Sequence, residues 1–197
     1  MVLSGNDIEK AVKEKKIVID PFVPETRLNP NSYNLRLHNE LLTYGSNCDE
    51  EISRLNKREL LEKYNTNAIL DMKNPPITKS LLIPKEGLWL FPNRVYLGRT
   101  MEFTSTDHYV PMIEGRSSIG RLGMSVHLTA GFGDVGFAGH WTLEITVTQP
   151  LKVYAGVEVC QIYFHTTENI GEHRYHGSYN NIAEIKPSNI YKEVQEL

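Results

Sequence analysis

Residues 140–148 read HWTLEITVT, and their strict alternation decides the fold class. A strand points successive side chains to opposite faces, so Trp141, Leu143, Ile145 and Val147 share one face. Thr142, Glu144, Thr146 and Thr148 share the other. The apolar face calls for a core. Glutamate is depleted from strand interiors, so Glu144 either looks into a cavity, where a held carboxylate can shuttle protons, or stands on a solvated sheet face. The alternation leaves both readings open.

Outward from this strand the text stays β-like. The runs LLIP, LWLFP, VYLGRTMEF, HYVPMIEG, GMSVHLT, LKVYAG and VEVCQIYFH, between Leu81 and His165, are separated by Gly, Pro or Asn/Asp turns. That rhythm predicts a mainly β domain, a barrel or a double-sheet jelly roll. At the N-terminus, Ser4 is a helix N-cap with Asp7 at the third helical position, followed by an apolar face of Ile8, Ala11 and Val12. The helix is expected to stop near Lys16, where the β-branched IVIDPF begins; PETRLNPNSYN reads as turns and YNLRLHNELLTY as one strand. Residues 45–80 read as an inserted surface helix through Ile52, Leu55, Leu60, Leu61 and Tyr64, then a loop ending at Pro75–Pro76. After Thr166 the chain is polar and aperiodic, either a disordered end or a flap ordered by something else. The organisation is a single domain over residues 1–197, with the insertion around 45–80 and the flap around 167–197.

Composition narrows the function. With 21 basic against 24 acidic residues and a formal net charge of −3, the chain lacks the basic excess that general nucleic-acid binding requires. A single nucleotide needs only a few placed cations. The two cysteines, Cys48 and Cys160, are far apart and suit a reduced, cytoplasmic protein better than a disulfide scaffold. No signal peptide or long apolar run is read, so no membrane is expected.

Immediately before the alternating strand lies EGRSSIGRLGMSVHLTAGFGDVGFAG, residues 114–139. Gly115 and Gly120 allow close backbone approach, while Arg116, Ser117 and Ser118 bring guanidinium and hydroxyl donors. If the segment turns helically after Gly115, Ser117 and Arg121 fall four apart on one side, with the free amides of the first turn beside them. A polyphosphate requires such donors; a Gly/Ser loop carrying surface arginines is the plainer alternative. Asp134 sits among Gly131, Gly133, Gly136 and Gly139, ten residues before Glu144, so it is either a turn former or a second carboxylate for the same pocket.

Taken in order, these pieces resemble the dCTP deaminase branch of the trimeric dUTPase superfamily. EGRSSIGRLGMSVHLTAGFGDVGFAGHWTLE is similar to its central block, PNSYNLRLHNEL to its N-terminal strand motif and VYAGVEVCQIYF to its late strand pair. The resemblance covers most of residues 1–44 and 81–165. It implies a dUTPase-like distorted jelly roll or β-barrel (β-clip), with an N-terminal helix and an inserted helix. It also implies a homotrimer with active sites between neighbours, and Mg²⁺ held by the triphosphate rather than by the protein. By match to the family's motif, Arg116, Ser117 and Ser118 hold phosphates, with Ile119 and Gly120 in the same substrate loop. Glu144 is the general base and proton shuttle, and Ser117 and Arg121 stand beside the reacting water. Backbone groups of Leu128, Thr129 and Ala130 position that water and read the cytosine edge, while Asp134 touches the deoxyribose and helps activate a second water. Thr142, Leu143, Gln161 and Tyr175 complete the substrate contacts that the resemblance implies.

The same deamination is performed elsewhere by zinc enzymes. His38-Asn39-Glu40 gives the H-x-E of such a site, but no P-C-x-x-C follows it, so zinc is not expected; His173 and His176 read as solvated. Whether the reaction stops at dUTP or continues to dUMP is read from Gly131-Phe132 and Gln161, which match the two-step members. Gly133 and Val135 depart from the family's usual residues and are expected to loosen the turn that places Asp134. Asn34 stands for a usual aspartate. In the tail, Tyr175 matches a family tyrosine, but Ser178-Tyr179, followed by Asn180 and Asn181, replaces a Lys-Tyr pair and removes a phosphate cation. The alternatives are a dUTPase without deaminase activity and a non-catalytic nucleotide-binding trimer.

Overall fold

The computed structural model describes residues 1–45, 59, 61–62, 65, 68–129, 131–177, 179–180 and 183–194. The helix expected in the insertion lies largely outside them, as do Cys48, Ala130, Ser178 and Asn181.

Helix α1, Gly5–Lys13, begins as its sequence dictates. Ser4 Oγ accepts from the Asp7 amide at 3.2 Å and Asp7 Oδ2 accepts from the Ser4 amide at 3.3 Å. This capping box satisfies two otherwise orphaned donors. The helix buries Ile8 and Ala11. It ends as Lys15 turns into positive φ.

The remainder is mainly β, and each run read as a strand from Leu81 onward overlaps one. In chain order they are β1 (Val18–Asp20), β2 (Tyr33–Arg36), β3 (Glu40–Tyr44), β4 (Thr78–Leu82), β5 (Leu88–Leu90), β6 (Tyr96–Ser105), β7 (Tyr109–Gly115), β8 (Met124–Ser125), β9 (Ala138–Val147), β10 (Leu151–Val153) and β11 (Glu158–Thr166). One sheet runs β4-β3-β6-β9-β8 with β1 also on β6; a second runs β2-β11-β7; a third pairs β5 with β10. Among the described residues these sheets do not close into a barrel, so the distorted jelly roll is the form adopted. The inner faces meet in one core. Tyr33, Leu35, Ile113, Ile162 and Phe164 from the β2-β11-β7 sheet join Leu41, Leu143 and Ile145 from the larger one, none more than 1% exposed. Each such side chain contributes roughly 1.5–3 kcal/mol of burial.

Two local expectations differ from the structure. PETR forms a short helix, α2 (Pro24–Arg27), started by the proline at its N-terminus. YNLRLHNELLTY is two strands rather than one. Leu37 exchanges backbone bonds with Val157 and Gly156 at 2.9 and 2.8 Å, whereas the His38 amide donates to Arg99 O at 2.9 Å. The chain therefore passes from one sheet to the other at Leu37, which also bridges Thr100 of β6.

Candidate active site

Strand β9 keeps its predicted parity: Trp141, Leu143, Ile145 and Val147 are buried and Thr142, Glu144 and Thr146 are half-exposed. Glu144, opposite Leu97 of β6, faces a cavity of about 400 Å³ that Asp134, Thr142 and Tyr175 also line. Its Oε2 accepts from two consecutive amides, Leu128 at 2.8 Å and Thr129 at 3.1 Å. Charge-assisted bonds of this kind fix the side chain in one place. The cavity, not the solvated face, is therefore what Glu144 sees. The Leu143 side chain lies wholly in the core, as parity predicts, leaving only its backbone for a ligand.

His140 lines the same cavity and was not singled out by the sequence. Its Nδ1 lies 3.1 Å from the Thr100 carbonyl, which can only accept, so that nitrogen carries the proton. Burial foremost, then the Arg99 guanidinium, holds the ring below the ordinary histidine range.

Asp134 is carried by a tied turn. The Gly133 amide donates to Pro111 O at 2.9 Å, Ile113 N to Gly131 O at 2.8 Å and Gly136 N to Thr106 O at 2.8 Å. A Cβ at Gly133 would overlap Trp141 Cη2 and stand 2.9 Å from both Pro111 Cγ and Pro111 O. Gly133 thus locks the turn onto β7, the reverse of the loosening expected from its departure.

The tail folds back over this region. Tyr175 N donates to Val135 O at 2.9 Å. The Asn180 side chain accepts from Ala138 N at 2.8 Å and donates to Tyr175 O at 3.1 Å. Tyr179 and Lys186 join the cavity wall, and Lys186 is the one lysine or arginine among the described residues lining it. Of the two readings of the tail, the described part is an ordered flap.

The residues expected to form a phosphate loop lie elsewhere. Ser117–Gly120 form a single helical turn in which Arg121 N donates to Ser117 O at 3.1 Å, as the spacing predicted. Arg116, Ser117, Ser118, Gly120 and Gln161 line a second cavity of about 670 Å³. Ile119 packs against the core, so its side chain is no wall of that space. Arg121 is exposed and lines neither cavity. Within one chain Ser117 and Arg121 therefore do not stand beside the carboxylate of Glu144. The two cavities flank the 127–129 segment: His127 lines the second, 3.5 Å from Glu114, while the amides of the next two residues hold Glu144 beside the first. Among the described residues, no three His, Cys, Asp or Glu side chains converge as a metal-ligand set.

A family model described as dCTP deaminase-like matches residues 2–167, and the chain belongs to that family. It is 52% identical over 193 residues to a Clostridium acetobutylicum protein named dCTP deaminase, dUMP-forming, covering 98% of both chains. A Cytophaga hutchinsonii protein of the same name is 50% identical over 196 residues, covering 100% of both. A crystal structure of 2′-deoxycytidine 5′-triphosphate deaminase from Agrobacterium tumefaciens aligns with 84% of this chain at a TM-score of 0.59 and 19% identity. This chain spans 48% of that longer one, and the likeness is of fold.

Proposed function

We propose that the chain is a cytoplasmic enzyme that hydrolyses dCTP at cytosine C4 to dUTP and ammonia, and continues to dUMP and pyrophosphate. The observation that carries this reading is Glu144, facing a closed-over cavity with its carboxylate pinned by the Leu128 and Thr129 amides. Attack of water at C4 gives a tetrahedral intermediate, and the exocyclic nitrogen must gain a proton to leave. A positioned carboxylate can take the water's proton and hand it on. Backbone of residues 128–130 and Thr142 then orients water and base beside it. Asp134, which lines the same cavity, meets the deoxyribose and serves the second hydrolysis; its tied turn and the Gly131-Phe132 pair support the two-step reading.

The separation of the two cavities supports a homotrimer in which each site joins the Glu144 cavity of one copy to the Arg116, Ser117 and Ser118 loop of its neighbour. Exposed Arg121 and Ser117 then approach the reacting water from the neighbouring subunit, where fixed donors stabilise developing charge. Gly120, Gln161 and the backbone of Ile119 and Leu143 complete the substrate contacts, with Tyr175 closing over the nucleotide. Mg²⁺ would be held by the triphosphate oxygens, which suit it as hard ligands, and would temper the phosphate charge that the Arg116, Ser117 and Ser118 donors receive.

One time course with dCTP and Mg²⁺, following ammonia, dUTP, dUMP and pyrophosphate together, tests this. Stoichiometric ammonia and pyrophosphate are expected. Pyrophosphate from dUTP with no ammonia from dCTP would make the chain a dUTPase, and dCTP binding without turnover would make it a binding trimer.

A further inference from the structure

Glu158, at the start of β11, stands beside the second cavity although no feature of the sequence drew attention to it. Arg116 Nη1 donates to its backbone carbonyl at 3.0 Å and lies 3.1 Å from its carboxylate Oε2. The same Oε2 accepts from Asn34 Nδ2 at 2.9 Å, and Asn34 Oδ1 accepts in turn from Asn29 Nδ2 at 2.9 Å. The other oxygen, Oε1, faces Arg27 Nε at 3.6 Å. Both guanidiniums and the carboxylate are largely withdrawn from water, with side-chain exposures of 16% for Arg27, 24% for Glu158 and 33% for Arg116. Glu158 owes its direction to the register shift between Glu158 and Cys160 where β11 pairs with β2. Such an irregularity re-aims a strand's side chains.

We propose that Glu158 is a positioning residue for the phosphate loop. It clamps Arg116 by one nitrogen against the β11 wall, so the guanidinium is already oriented when a triphosphate arrives. The inference rests on the dCTP reading above. An arginine beside a glycine has many rotamers to lose on binding, and fixing it beforehand removes that cost from the affinity. Charge balance fits the role. Two guanidiniums share one carboxylate, so the Arg27–Glu158–Arg116 group keeps one positive charge for the ligand. Arg27 Nε and Nη1 are buried without a hydrogen-bond partner, which leaves Arg27 placed to hold the carboxylate when phosphate draws on Arg116.

The test is a double-mutant cycle on nucleotide binding by the full chain, read by calorimetry in a Glu144→Gln background so that dCTP persists. Glu158→Ala should weaken dCTP by about tenfold and dCMP far less. The same substitution added to Arg116→Ala should weaken dCTP no further. Glu158→Gln, which keeps the side-chain volume and an amide oxygen for Asn34 and Arg116 but removes the charge, should show a smaller triphosphate-selective loss with an unchanged melting temperature, and it replaces the alanine variant if that one does not fold. Equal losses for dCTP and dCMP, or losses that multiply with Arg116→Ala, would overturn the assignment. Ammonia release by the unsubstituted chain reads the enzymatic proposal separately, so the two failures are distinguishable.

Discussion

The ring of Trp141 occupies the space in which a side chain on Gly133 would stand. Gly133→Ala must push that ring, or the Pro111 backbone 2.9 Å away, out of place. Overpacking of this kind costs about 1–3 kcal/mol, so the melting temperature should fall. Because Asp134 follows directly, pyrophosphate release from dUTP should fall more than ammonia release from dCTP. Equal loss of both would separate the turn from the second hydrolysis.

Glu144→Gln keeps an amide oxygen for the Leu128 and Thr129 donors but removes the proton acceptor. Ammonia release should drop by a factor on the order of 10²–10⁴. Calorimetric dCTP binding should be nearly retained; loss of binding in step with turnover would make Glu144 a substrate clamp instead.

Mixing two inactive chains tests the shared site. Glu144→Gln and Ser117→Ala subunits, unfolded together and reassembled, should recover about a quarter of wild-type ammonia release at equal ratio, since one pairing in four unites two intact halves. No recovery would place both residues in the same subunit's site.

The flap should matter through Lys186 and Asn180. Lys186→Gln removes the lysine of the cavity wall, and Asn180→Ala removes the bonds to Ala138 N and Tyr175 O. Both should raise KM for dCTP, the lysine variant more steeply at low ionic strength. An unaltered KM with a lowered melting temperature would make the tail structural only.

His38 and His140 are both held below the ordinary histidine range, by burial first and then by Arg99. Glu40 opposes the shift at His38, and the Thr100 carbonyl opposes it at His140. In the unfolded chain these rings take up protons that the folded chain refuses, so stability is present above the unfolded value and declines as pH falls below it. Melting temperatures recorded across this window should drop toward acid, with a shallower slope in His38→Gln. An identical slope would assign the pH dependence elsewhere.

Much of this molecule was legible wherever periodicity carried the signal. The parity of HWTLEITVT placed Glu144, because one apolar face had to be buried. The crossing at Leu37 was hidden, since a strand that changes partner sheet keeps its alternation unbroken. Gly133 was misread because its meaning lies in Trp141 and Pro111, distant in the chain and invisible to local turn rules. The Arg116–Glu158 pair was out of reach for the same reason, two ordinary charged residues made neighbours only by the β11-β7 register. The flap had no period to read: it is held by single contacts from Tyr175, Tyr179 and Asn180.

Both amide bonds to Glu144 fall on Oε2. The two carboxylate oxygens are thereby made inequivalent: Oε2 is anchored, and in the proposed deamination Oε1 is the oxygen left to carry the proton. Uptake from water and delivery to the departing nitrogen would then use the same atom, and the group would not need to rotate between the steps. On that proposal the strand supplies a stationary relay, around which the substrate would reorganise.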